Sequence, residues 1–224
     1  MQNTSVIIRR VLAAMVALLI VRVTVEVMRG YVSYYPPDFS SDFLHGREAD
    51  FDRYRWAFYP HIVTGPFALF AGLLLMSDRF RLQFPQGHRW LGRIHVANVL
   101  LILLPSGFVM GFDAAAGLSA VISFVLLTAV TAICTALGWR AAMQRRFVVH
   151  RRWMQRSYVL LCSAVVLRIL GGIGTVLEVP WWWYDAAITW ASWLLPLIVF
   201  ELSVWWSQRR HRIGRTALAT RATG

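Results

Sequence analysis

The chain has no lysine, few acids and only two cysteines. All 23 basic residues are arginine, set against 11 acids, for a net charge of +12. The missing lysine is read as genomic base composition rather than function. So large a positive charge raises nucleic acid as a partner, but no basic stretch is interleaved with polar sequence as a nucleic-acid groove needs. The arginines stand beside apolar runs instead, where membrane topology places them, and a nucleic-acid partner is set aside. Cys134 and Cys162 both fall inside apolar runs. Two cysteines are too few for a disulfide framework and read as buried free thiols. There is no Walker A loop, no G-x-G-x-x-G and no G-x-S-x-G, so nothing points to ATP-driven transport or to a soluble enzyme. No His/Cys spacing suggests structural zinc. The apolar run after Arg9 and Arg10 is not followed by a small-residue cleavage site, and Arg22 and Glu26 interrupt its continuation. It reads as an uncleaved first span.

What the chain has in excess is apolar surface. Apolar residues make up 58% of it, against about 45–50% in soluble domains. They collect in six runs, about 11–28, 59–76, 90–110, 118–137, 153–172 and 186–206. Each is close to the roughly 20 residues that cross a bilayer as a helix. An open strand cannot satisfy its backbone in lipid. The expected fold is therefore an all-α integral membrane protein, a bundle of six transmembrane helices forming one domain over 1–224.

Charge sets the expected orientation. Arg9 and Arg10 precede span one, while Arg79, Arg81, Arg89 and Arg93 surround the second loop. Arg140, Arg145, Arg146, Arg151, Arg152 and Arg156 surround the fourth, and the 207–224 tail with its approach carries Arg209, Arg210, Arg212, Arg215 and Arg221. The opposite side holds Arg29, Arg47, Arg53 and Arg55, with Asp38, Asp42, Glu48, Asp50, Asp52, Asp113, Glu178 and Asp185. Both termini should be cytoplasmic, in a bacterial cytoplasmic (inner) membrane. The long outer loop, 30–58, carries "SYYPPDFSSDF", which favours extended chain around Pro36 and Pro37. Its "READFDRYRW" suits a short amphipathic helix on the outer surface. "PWWWYD" at 180–185 reads as an outer aromatic belt, and Trp90, Trp139, Trp153, Trp205 and Trp206 as the inner one.

Two stretches echo each other. "GHRWLGRIHV" (87–96) and "VVHRRWMQRSY" (148–158) each set His-Arg, Trp and a further Arg at the cytoplasmic mouth of a span. Spans two–three and four–five thus read as related helical hairpins. With "HIVTGPFALFAG" (61–72), "HRWLGRI", "HRRWMQRSY" and Arg168, the chain resembles the multi-pass membrane proteins catalogued as domain of unknown function 2306, from about Tyr59 to Arg168. The resemblance implies a multi-pass membrane fold and marks these residues; it implies no reaction. His95 stands where such proteins usually have tyrosine, so no role is carried over to it.

Two groups of residues are candidates for chemistry. His88, His95 and His150 gather near the cytoplasmic face. Facing helices of a bundle can offer axial histidines to a b-type haem, or to a metal ion. Nearby arginines would take propionates, while Arg89, Arg93 and Arg156, with Trp153, line the inner interface. The alternative is that these His-Arg pairs, with Trp153, form an inner interface anchored at the headgroups. Arg22 and Arg168 lie deep in spans one and five, where a charge is costly and faces an interior or a cavity. Glu26 is spaced to pair with Arg22 along one helix, and His61 opens span two nearby. This second group reads either as an outer pocket for an anionic or quinone-like ligand, or as an interhelical polar clamp. Glu201 should face Arg93, Arg156 or the inner histidines. Pro66, Pro105 and Pro196 should kink their spans.

With no catalytic motif, the expected role is a non-catalytic accessory subunit or assembly factor. Its partners would be the lipid bilayer and other membrane proteins, including those of an electron-transfer complex. A membrane redox protein binding haem b or quinone, and a small transporter, are the alternatives.

Overall fold

The structure, a computed structural model, describes residues 2–41 and 44–222, and of these the side chains of 7, 8, 10–41 and 44–209. Arg9, Asp42, His211, Arg210, Arg212, Arg215 and Arg221 lie outside the described side chains. The helices are α1 (Gln2–Arg29), α2 (Phe51–Met76), α3 (Asp78–Gln83), α4 (Pro85–Asn98), α5 (Leu104–Phe112), α6 (Gly117–Met143), α7 (Phe147–Leu161), α8 (Ser163–Val176) and α9 (Trp181–Ala222). There is no strand among the described residues. Six helical stretches are long and apolar enough to cross a membrane: α1, α2, α4–α5, α6, α7–α8 and α9.

Pro66 and Pro196 lie inside the continuous helices α2 and α9. The third span changes its helical pitch just before Pro105, where Val99–Leu103 forms a π-helical turn between α4 and α5. Proline lacks an N–H and its ring crowds the carbonyl four residues back; the wider π turn absorbs that misfit.

The fifth span, α7–α8, is the centre of the packing. It touches α1, α2, α6 and α9. Leu160 is fully buried, and Tyr158 and Val165 pack with Ile20 of α1 and Leu69 of α2. The α6–α7 seam is polar as well as apolar: Thr135 and Ser157 are both fully buried and share a hydrogen bond of 2.7 Å. Thr131 and Thr135 also bond carbonyls one turn back in their own helix. Small hydroxyls of this kind let membrane helices approach closely and stay satisfied without water.

One end of the bundle is capped by the long loop. Phe51, Tyr54 and Phe58 recur at helical spacing and bury one face against Leu44. That face is why 51–58 is the first part of α2 rather than a separate surface helix: the helix continues out of the span to meet the loop. Tyr59 and Tyr31 donate to the carbonyls of Tyr34 (2.9 Å) and Ile62 (2.7 Å). Arg47 donates to the Asp113 carbonyl at 3.1 Å, tying the loop to the α5–α6 turn. The other end, with α3 and the 144–146 turn, carries most of the described arginines.

Candidate functional site

At the arginine-rich end α7, which carries one of the two echoing stretches, is tied to α3. Asp78 accepts from Arg151 (3.1 Å) and from Arg81 (3.0 Å), joining the α2–α3 turn to the start of α7. These donated bonds, from Arg151 first, hold the Asp78 carboxyl below its ordinary 3.8. His150 of α7 places Nδ1 2.9 Å from the Gly138 carbonyl of α6. A carbonyl only accepts, so Nδ1 carries the proton and Nε2 keeps its lone pair. His88 is half-buried beside the Phe80 ring. Its Nδ1 is buried and has no hydrogen-bond partner.

His95 lies deeper, 2% exposed, against Gly72 of α2 and Tyr158 of α7. Tyr158 is eight residues beyond His150, about 12 Å along the helix. Gly72 is required there: a Cβ would overlap the Tyr158 ring and touch His95 Cε1. The Tyr158 hydroxyl is satisfied by the Leu69 carbonyl at 3.0 Å. The Nδ1 of His95 has no partner.

Above His95 a polar seam continues between spans two and three. Asn98 donates to the Thr64 carbonyl at 3.3 Å, and Thr64 to that of Pro60 at 2.7 Å. His61 Nδ1 stands 3.3 Å from both the Leu103 carbonyl and Ser106 Oγ. The charge of Arg168 reaches both His61 and Tyr31.

The other members of the outer group fall on the bundle surface. Arg22 and Arg168 are exposed, and neither has a hydrogen bond or ion pair among the described residues. The expected Arg22–Glu26 pair does not form. Glu26 is held by Arg29 at 3.0 Å instead, because Arg29 sits three residues nearer the helix end, where both side chains reach water. Nor does Arg168 bond a carbonyl or Glu26, so it is not the clamp anticipated.

Glu201 meets Arg156, one of the three partners anticipated, at 2.5 and 2.9 Å. The guanidinium also lies 5.0 Å from the Trp153 ring centre. Arg93 stacks over Trp90 at 5.0 Å, and Arg89 is exposed. Among the described residues no three His, Cys, Asp or Glu side chains converge as a metal site. Sequence reasoning passed over Gly72, Tyr158, Ser106 and Tyr31. Tyr158 and Gly72 end two of the quoted motifs, but only the close approach of the Tyr158 ring to Gly72, beside His95, gives them a reason.

The family model described as a predicted membrane protein, DUF2306, matches residues 58–204, about two thirds of the 224 residues. The matched stretch holds His61, the three inner histidines, Arg168 and Glu201; Arg22 and Glu26 precede it. No curated protein and no solved structure matches.

Proposed function

We propose, from the premise that the chain belongs to the DUF2306 family of predicted membrane proteins, that it is a non-catalytic subunit or assembly factor of a larger membrane complex. It sits in a bacterial cytoplasmic membrane with both termini cytoplasmic, as its arginine asymmetry favours. One observation carries the reading: Arg22 and Arg168 are exposed charges within spans, without partners among the described residues. Arg22 lies near the middle of the Arg10–Tyr34 span. Side chains on a helix tilt toward its N-terminus. On these two helices, in the proposed orientation, that is away from the outer surface, which hinders escape to the headgroups there. Only 11% of the α1 apolar window is buried, against 44% in the third span. The partner therefore docks on α1 and α8 with a membrane helix bearing a carboxylate, which removes the cost of charge in lipid.

The test is native electrophoresis of the full chain, extracted from its own membranes in mild detergent. The wild type should migrate in an assembly with a stoichiometric membrane partner. The R22L/R168L variant should run alone while keeping its melting temperature. A wild-type chain that runs alone removes the proposal.

A second reading, a redox protein binding haem b or quinone, draws on His150. Ligating histidines usually donate their other ring N–H to a carbonyl or carboxylate, as His150 does to Gly138. A reduced-minus-oxidised spectrum of the purified protein tests it. A haem band lost in His150→Ala supports the reading; a spectrum with no such band ends it for haem.

A further inference from the structure

Most polar side chains inside the bundle are explained by the fold. Thr64, Thr131 and Ser106 bond carbonyls of their own helices, and Tyr158 bonds Leu69. His95 is not explained in this way. An imidazole brings a donor and an acceptor into the interior, yet its buried Nδ1 meets neither. An apolar side chain of similar size would fill the same space with no polar atom to satisfy.

His95 is also one member of a file. His88, His95, Asn98 and Ser106 follow one another along the third span, and His61 and Thr64 face the upper part from α2. His88 to Ser106 is 18 residues, about 27 Å at the helical rise, close to the roughly 30 Å of a hydrocarbon core. The π turn at Val99–Leu103 falls in the middle of this file. Such turns concentrate at functional sites, and the Leu103 carbonyl at its end accepts from Ser106 and faces His61.

We propose that this file is a transmembrane proton path, with His95 as its central relay. A neutral imidazole takes a proton on one ring nitrogen and releases one from the other. Reorientation of the ring, or return of a proton through water, restores the starting tautomer, and no bond other than N–H or O–H changes. His88 is the relay at the arginine-rich end and His61 at the loop end. Water molecules complete the path between the histidines, since the rise from His88 to His95 is about 10 Å and a polar gap of that size needs bridging water. Asn98, Thr64 and Ser106 do not titrate; they hold that water. Arg168, whose charge reaches His61, and Tyr31, bonded to the Ile62 carbonyl, are ionisable groups at this loop end. The path does not depend on whether the chain is a subunit of a larger complex.

The test uses the full chain in sodium-free liposomes with a trapped pH dye and a potassium–valinomycin potential. Wild-type vesicles should move protons well above the rate of protein-free vesicles. His95→Leu should fall to the protein-free rate, and so should Asn98→Leu, the variant to use if His95→Leu does not fold. Melting temperature in detergent reports folding for both. A wild-type rate equal to that of empty vesicles overturns the proposal. So does an undiminished rate in either folded variant.

Discussion

Arg156 of α7 and Glu201 of α9 form a two-bond ion pair, 2.5 Å from Nε to Oε1 and 2.9 Å from the terminal nitrogen to Oε2. Their side chains are 22% and 42% exposed, so the pair is partly shielded. Removing one partner leaves the other charged and unmatched at the edge of the span. Glu201→Ala should lower stability by about 1–3 kcal/mol, less than for a fully buried pair because of the remaining exposure. Thermal unfolding in detergent measures it. The R156M/E201L variant should recover most of the loss; if it is no more stable than Glu201→Ala, the pair is not what Glu201 contributes.

Gly72→Ala should destabilise by about 1–3 kcal/mol, because the added methyl meets the Tyr158 ring in a packed interior. His95→Leu should instead hold or raise stability, since no protein group bonds its buried Nδ1. Opposite signs at two neighbouring residues, read from melting temperatures, are the expected result; a large loss in His95→Leu would mean that the ring bonds more than the bridging water of the proposed path.

Tyr158→Phe keeps the ring against Gly72 and removes the bond to the Leu69 carbonyl, along with the hydroxyl's weaker interaction with the Cys162 thiol. Hydrogen bonds between membrane helices average about 0.6 kcal/mol. The variant should therefore lose about 0.5–1 kcal/mol. An unfolded variant would show that the hydroxyl does more than this.

The Asp78–Arg151 link predicts acid sensitivity at the arginine-rich end. The carboxyl is held below its ordinary 3.8, so its stabilisation is fully present above that pH and is lost as pH falls through the lower folded value. Unfolding scans from neutral pH down past 3.8 should show a downward step that Asp78→Asn lacks. High salt should flatten the step, because the pair is exposed.

Arg22→Leu should make insertion of α1 more favourable by about 3 kcal/mol, the difference between arginine and leucine at the centre of a membrane helix. A glycosylation-mapped insertion assay of the α1 segment reads this directly. An unchanged insertion balance would mean that Arg22 already reaches water.

The six spans were legible in the sequence because partition into lipid depends on local composition: about twenty apolar residues in a row settle it wherever they stand. The arginine clusters were legible for the same reason. Pairing was not. Glu26 had Arg22 and Arg29 both within a helical turn, and it took the one nearer water. Glu201 had several candidates, and the rotation of α9 against α7 chose Arg156.

His95, on the same helical face as His88, was sent elsewhere by a glycine 23 positions earlier and a tyrosine 63 positions later. Sequence by itself determined the membrane class, the number of spans and the crowding of arginine beside them. Only the tertiary structure decided which charges are matched and which histidine is left alone, because helix rotation and close approach are set by contacts between residues far apart in the chain.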